Sequence, residues 1–212
     1  MASILKVDTI QDQSGNNIIN ENADTITIGA SGDTVTIPSG ATISNLGTAT
    51  GFGKVLQVVQ AIKTDTTSSS SLTMVDISSL SVSITPSSAS NKILVMCSFC
   101  WGADNNSSPK FKLTGGNTST YVGDAAGDRQ RVAYFAADDY FNGASLAGNE
   151  TAFMAFLNYL DSPATTSSTT YKLQGSTDNN GSFYINRTGA DVDSSSEGGR
   201  SASSIIVMEI EG

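Results

Sequence analysis

Two cysteines, Cys97 and Cys100, are spaced as in half of a zinc site or in a redox-active pair. A tetrahedral structural zinc ion requires four ligands, and the 212-residue sequence has no histidine and no third cysteine. An internal disulfide is also disfavoured, because residues three apart in a strand point to opposite faces of the sheet. We therefore predict two small, buried or half-buried thiols and no metal site here.

Carboxylates are the remaining side chains with catalytic potential. Without histidine, Ser-His-Asp and Cys-His catalysis are excluded, and no phosphate-binding glycine loop is present. Glycoside hydrolysis needs only two carboxylates, roughly 5–10 Å apart. The acids at predicted loops or strand ends are Asp124, Asp128, Asp138, Asp139 and Glu150. Scattered surface acids are more often simply solvated, so we predict no enzyme, no catalytic residue and no cofactor, with a polysaccharide-degrading enzyme as the second alternative.

An acidic stretch and three aromatic residues are candidates for binding. Residues 191–197 bring together Asp191, Asp193 and Glu197, but they lack the ligand order and the glycine of an EF-hand, so calcium binding stays open beside a solvated loop. The candidate receptor-contact aromatics are Trp101, Tyr140 and Phe141. For each of them, burial in the core or in a subunit interface is an equally good interpretation.

The charge balance argues against several partners. The formal net charge is −9, and the 11 lysines and arginines form no run or stripe in the sequence. Nucleic-acid binding and attachment to an anionic membrane both need concentrated positive charge, so neither is expected. We also see no signal peptide and no apolar stretch of membrane-spanning length, which predicts no membrane insertion.

Short apolar segments, separated by clusters of Ser, Gly, Asn and Asp, dominate the sequence from residue 54 onward. The segments that read as strands are 54–62, 72–77, 80–85, 92–101, 110–113, 120–124, 130–137, 151–160, 170–176, 182–186 and 203–211. No segment shows a convincing amphipathic helical stripe. Nine to eleven short strands predict an all-β fold, with residues 54–212 forming an antiparallel β-sandwich or jelly roll.

Three of these segments are apolar on both faces, although a sandwich strand needs only one buried face. In 151–160, Phe153, Leu157 and Tyr159 alternate with Met154, Phe156 and Leu160. The segments 92–101 and 203–211 show the same pattern. The second face is covered either by loops or by another subunit, and three such strands favour a subunit interface.

Residues 1–43 contain a short repeat in which an Asp-Thr-apolar strand start is closed by a Ser-Gly turn. The two clearest copies begin at Asp24 and Asp33, and their apolar positions are Ile26, Ile28, Val35 and Ile37. About 40 residues bury too little surface to fold alone without a metal or a disulfide. We therefore expect this apolar ladder to pack against neighbouring chains, the alternative being packing on the chain's own C-terminal domain. Residues 44–53, rich in glycine, read as a linker.

The opening stretch, MASILKVDTIQDQSGNNIINENADTITIGASGDTVTIPSGATI, resembles the start of virion structural proteins, tail-fibre proteins especially, of marine tailed bacteriophages. Later stretches, SASNKILVMCSF, YKLQGSTDNNGSFYIN and SSIIVMEIEG, are similar to the distal heads of phage fibres. Such heads resemble the tumour-necrosis-factor-like jelly roll.

The resemblance implies a short tail fibre in which residues 1–43 attach to other virion proteins and residues 54–212 form a trimeric head. It further implies contact of the head with the host surface, with a host-surface glycan as a candidate ligand. The expected location is the virion, assembled in the host cytoplasm. Because 212 residues leave almost no shaft, a capsid decoration or knob protein is the first alternative.

Overall fold

The computed structural model describes residues 36, 38–40, 54–104, 107–136, 140–141, 144–145, 150–178, 181–196 and 198–212. The chain divides into two compact units, Met1–Ala49 and Thr50–Gly212. The anchor candidates of the first unit, Ile26, Ile28, Val35 and Ile37, lie outside the described residues, so the predicted strand repeat stays a prediction. In the second unit the described fold is all-β, as the sequence predicts, and its strands pair in antiparallel fashion.

The strands follow one another along the second unit with one short 3-10 helix among them. They are β1 Val55–Lys63, β2 Thr67–Ser69, β3 Val75–Ile84, β4 Lys92–Ala103, β5 Lys110–Thr114, β6 Tyr134–Phe135, β7 Tyr140–Phe141, β8 Ala144–Ser145, β9 Ala152–Asp161, β10 Thr169–Ser176, β11 Phe183–Ile185 and β12 Ser203–Ile210. The 3-10 helix spans Thr118–Thr120. Among the described residues, no helix is long and apolar enough to cross a membrane.

Two sheets form the body of the fold. In sheet A the long strand β4 pairs with β9 along one edge and with β12 and then β11 along the other, and β1 and β2 extend these two partners outward. Sheet B has the strand order β3-β10-β5-β6. Strands β7 and β8 pair only with each other in the part of the chain that is described.

The core lies between the two sheets and is built by alternation. In β4, Ile93, Val95 and Cys97 point inward and are almost fully buried, and in β12 so do Ile205 and Val207. Aromatic rings join the sheets: the ring centroid of Phe111 in β5 lies 4.8 Å from that of Phe99 in β4 and 5.4 Å from that of Phe183 in β11. Rings this close and tilted are a favoured aromatic packing, so the predicted sandwich has a continuous core.

A β-bulge explains one difference between prediction and structure. The segments 72–77 and 80–85, predicted as two strands, belong to the single strand β3. Its register with β10 shifts where Ser78 and Ser79 are both exposed, and Ser79 has a φ of 64°. Five steps of β3, from Asp76 to Ser81, lie opposite two steps of β10, from Gln174 to Lys172, and the extra residues let Ile77 and Leu80 face the core although they are three apart. The adjacent serines therefore mark a bulge and not a turn.

Two other predicted strands are wrong or shorter than expected. The segment 120–124 contains no strand, because the 3-10 helix ends at Thr120 and irregular chain follows. Within 130–137, the described strand is limited to Tyr134–Phe135. Both segments belong to a loop that crosses the edge of sheet B, where β-branched and aromatic residues do not by themselves secure a strand.

Both cysteines are free and buried, as predicted. Cys97 points into the core, and burial raises the pKa of its thiol to about 12. Cys100 lies three residues further along β4 and is also almost fully buried.

A buried carboxylate ties the end of β9 to β10. Asp161 is fully buried and accepts hydrogen bonds from the Tyr171 hydroxyl at 2.6 Å and from the backbone N–H of Asn117 at 3.1 Å. Burial raises the pKa of Tyr171, and its hydrogen bond to Asp161 raises it further, so the phenol remains a donor. The pair fixes the 3-10 turn against the sandwich.

Tyr171→Phe is expected to lower the free energy of unfolding by about 1.5–3 kcal/mol, because a charge-assisted hydrogen bond is lost in the interior. Urea unfolding measures the change. The control is Tyr159→Phe, since the Tyr159 hydroxyl bonds Thr120 Oγ1 at 2.8 Å near the surface and its loss should matter little. Equal losses of unfolding free energy in the two variants would show that the buried Asp161–Tyr171 hydrogen bond stabilises the fold no more than the surface bond of Tyr159.

Candidate functional site

The outer face of sheet A, turned away from sheet B, is apolar over four adjacent strands. Pairing places the outward residues in rows across the sheet. One row runs Leu160, Leu94, Met208, Val58; the next runs Asn158, Met96, Ile206, Gln60; the third runs Phe156, Ser98, Ser204, Ile62. Cross-strand neighbours in such rows contact one another, so the apolar side chains form one surface and not isolated spots. We call it the apolar face.

Large side chains on the apolar face are open to solvent. Phe156 is 65% exposed, Ile62 57%, Val58 55%, Leu160 50% and Met154 49%. Two large exposed apolar residues, Leu72 and Phe135, lie elsewhere on the described chain. A continuous patch of this kind is unusual for a protein that works as a monomer.

Few polar and fewer charged groups interrupt the apolar face. The outward positions of the described strands β1, β4, β9 and β12 carry one charged residue, Lys92, at the end of β4. Ser98 and Ser204 face each other across β4 and β12, and their hydroxyls satisfy one another at 3.2 Å. Asn158 and Gln60 are the other polar side chains of the named rows, so burial of the apolar face would leave few polar groups to satisfy.

One end of the same sheet is covered by the chain itself. At Gly102 of β4, a side-chain Cβ would lie only 2.5 Å from the backbone oxygen of Arg187, so the segment after β11 runs directly over the sheet there. Asn186 begins this cover by donating its backbone N–H to Cys100 O at 3.0 Å. Within the described residues, the segment after β11 therefore covers one end of sheet A, and the large side chains of the apolar face remain exposed.

A buried acid holds the strands beneath the apolar face in place. Glu209 of β12 points inward, is fully buried and accepts hydrogen bonds from Gln57 Nε2 at 2.5 Å, Ser87 N at 2.7 Å and Asn91 Nδ2 at 2.6 Å. Burial alone would raise its pKa, but these hydrogen bonds outweigh burial and lower the pKa to about 2. Glu209 thus links β1, β12 and the β3–β4 turn.

The predicted two-sided strands account for most of the apolar face, and β1 was missed. In β9, Phe153 and Leu157 lie inward while Met154, Phe156 and Leu160 lie outward, as the alternation indicates. The contribution of β1, through Val58 and Ile62, was not recognised. The signal was present in VLQVVQAIK, where apolar residues occupy both alternating sets.

The three candidate receptor-contact aromatics differ in what the structure shows of them. Trp101 is 3% exposed and stacks on Phe153 with ring centroids 5.0 Å apart, so the structure places it in the core and removes it from the surface candidates. Tyr140 and Phe141 form β7, paired with Ser145 and Ala144, and their side chains lie outside what is described.

The candidate acids do not assemble into a described site. Asp124 and Glu150 are exposed and lie in separate loops. Asp191 pairs with Arg200 and lies 3.6 Å from Arg187, and the hydrogen bond from Arg200 keeps its pKa below the usual value. Within the described ranges, no group of three or more metal-ligating side chains is arranged to hold an ion.

No protein-family model matches this chain, and no curated protein is significantly similar to it. The apolar face is therefore interpreted from its own geometry.

Proposed function

We propose that this protein is an oligomeric structural component of a tailed bacteriophage particle, a short tail fibre whose trimeric head contacts the host surface. The observation that carries the oligomeric part is the apolar face of sheet A. The resemblance of the opening stretch to virion proteins supplies the particle, and the number three comes from the same resemblance. A capsid decoration or knob protein uses the same interface and differs only in its position on the particle.

A second copy of this chain is the partner that fits the apolar face best. Five large apolar side chains of this face are about half exposed or more, and their burial in an interface is favourable by about 25 cal/mol for each Å² of apolar surface. A stable interface buries about 800 Å² on each partner. The face also lacks the charges that would select a different protein, whereas a self-association surface needs none.

Sedimentation of the purified full-length chain tests the oligomer. The expected result is a single species of three times the chain mass of 21.9 kDa at micromolar concentration. A folded monomer at that concentration would overturn the proposal. Locating the chain in a density map of an intact particle then separates a tail position from a capsid position.

The attachment role of residues 1–43 leads to a contrast between two neighbouring substitutions. Ile28→Asp is expected to abolish or strongly reduce incorporation into particles, because a charge in an apolar ladder costs several kcal/mol to desolvate. Thr27→Asp, one residue away on the opposite face of the predicted strand, is expected to be mild. Quantifying the protein in purified particles measures both. Equal effects would mean that this stretch is not a half-buried strand.

A further inference from the structure

Basic residues that are scattered in the sequence converge on the outer face of sheet B. Lys110 and Lys112 occupy outward positions of β5, alternating with the buried Phe111 and Leu113, and Lys172 lies outward on the neighbouring strand β10. The loop before β6 adds Arg129 and Arg131. This face thus gathers five of the 11 lysines and arginines of a chain whose net charge is −9.

Three of these cations surround one cavity of about 370 Å³. The loop that walls the cavity is held by the backbone hydrogen bond from Gly123 N to Val132 O at 3.1 Å. Arg131 Nε donates to Gly123 O at 2.7 Å, and Arg129 Nη1 donates to Ala126 O at 3.1 Å. Both guanidinium groups are therefore positioned by the loop and keep further N–H donors for a ligand.

The positive charge at this cavity is not used up inside the described part of the chain. The ion pairs in the described part of the chain lie away from the cavity lining. They join Lys63 to Asp65, Lys172 to Asp76, and Arg187 and Arg200 to Asp191. The described hydrogen bonds of Lys110, Arg129 and Arg131 run instead to backbone carbonyl oxygens. Of the acids, Asp124 lines the cavity.

We propose that this cavity binds an acidic saccharide, a sugar unit carrying a carboxylate or a phosphate. Arg129, Arg131 and Lys110 would hold the oxyanion, because guanidinium groups match carboxylate and phosphate geometry. Asp124 and Gln130 accept hydrogen bonds from sugar hydroxyls. Phe135, 66% exposed on the same wall, offers an apolar face to the ring.

The size and charge of the site favour a saccharide over a nucleic acid or a bare ion. A second cavity of about 310 Å³ shares Arg131 and is lined by Lys112, so adjacent sugar units have room along β5. A bare ion would make no favourable contact with the apolar ring of Phe135. A long nucleic acid would meet the net charge of −9 beyond this face, which disfavours it.

This inference rests on the proposed function in one respect only: the host surface is the expected biological source of the sugar. The test uses the purified full-length protein, so binding and particle function fail or succeed separately. A protein that sediments as a trimer but binds no acidic sugar would overturn this inference alone.

The experiment measures binding by calorimetry to three pairs of probes, each an acidic sugar with its neutral counterpart. The pairs are sialyllactose with lactose, trigalacturonic acid with its methyl ester, and mannose 6-phosphate with mannose. At least one acidic member should bind about tenfold more tightly than its neutral counterpart and lose affinity as salt is raised. The carboxylate and phosphate arms identify which oxyanion the site prefers.

Variants then assign the binding to this cavity. Arg129→Gln, Lys110→Gln and Phe135→Ala are each expected to weaken binding about tenfold, with unchanged melting temperatures. Lys172→Gln is the matched control, because it removes the same charge from the same face at a residue already paired with Asp76. Equal affinity for acidic and neutral members, no binding by any acidic probe, equal loss in the control, or tighter binding of a single-stranded DNA oligonucleotide would each overturn the proposal.

Discussion

Leu160→Lys is expected to convert the proposed trimer into a folded monomer. Leu160 lies on the apolar face at 50% exposure, in one row with Leu94 and Met208. In the assembled protein, a lysine there would bury an ammonium group without a partner, which costs several kcal/mol. The dissociation constant should rise at least about 100-fold, which corresponds to roughly 2.7 kcal/mol.

Analytical ultracentrifugation over a dilution series measures the shift. The matched control is Leu72→Lys, since Leu72 is 53% exposed and lies outside the apolar face. The control should sediment like the unchanged protein. Dissociation caused by both substitutions would indicate a general effect of the added charge, and an intact Leu160→Lys oligomer would place the interface elsewhere.

Glu209→Gln is expected to destabilise each subunit by about 2 kcal/mol at neutral pH. One carboxylate oxygen accepts from Ser87 and Asn91 and the other accepts from Gln57. Whichever way the replacing amide is oriented, its NH₂ group faces a donor. The substitution therefore leaves at least one buried donor unsatisfied, and urea unfolding of the two proteins measures the difference.

The same substitution has a pH signature of defined sign. The pKa of Glu209 falls from 4.5 to about 2 in the folded state, so its ionisation stabilises the fold fully above pH 4.5. That contribution is lost as the pH falls through about 2. The difference between Glu209→Gln and the unchanged protein should thus shrink between pH 4.5 and 2.

The control for this pH effect is Asp76→Asn. Asp76 is exposed and pairs with Lys172 at 2.7 Å at the surface, where solvent screens the interaction, so its removal should change stability little at any pH. A constant difference across the pH range for Glu209→Gln would mean that the pKa of Glu209 is the same in the folded and unfolded chains.

The fold class and the apolar face follow from local alternation, which the sequence displays directly. In β9 and β12 each residue's facing is set by its neighbours two positions away, so it could be predicted that Phe156 and Leu157, and likewise Ile206 and Val207, lie on opposite faces. Alternation does not show which of two apolar faces lies in the core. The β-bulge between Ile77 and Leu80 could not be predicted, because adjacent serines suit a turn as well as a bulge. The pairing partner β10 resolves that ambiguity, and it lies about 90 residues away, as the bond between Ser83 and Thr170 illustrates.

The proposed saccharide site depends on contacts that local patterns do not contain. Lys110 and Arg131 are 21 positions apart and meet only because the intervening loop folds back on β5. The sequence does hold a partial signal, since Lys110 and Lys112, and likewise Arg129 and Arg131, are two residues apart. Spacing of this kind places both charges of a pair on one side of an extended chain. Trp101 was a surface candidate because it lies near a strand end. Position along a strand does not determine which way a ring points, and the Trp101 ring points into the core.

The position of β12 constrains how this protein is made. It lies between β1 and β4, although Gln57 and Glu209, which bond across the β1–β12 pair, are 152 residues apart in the chain. Until β12 has been translated, β1 lacks its pairing partner in the described sheet. The edge of β4 that pairs with β12 is also unpaired. Such distant pairing is slow, and exposed strand edges invite aggregation in the interval. The apolar face is therefore complete only after β12 has been inserted, because Ile206 and Met208 of β12 lie in the middle of its rows.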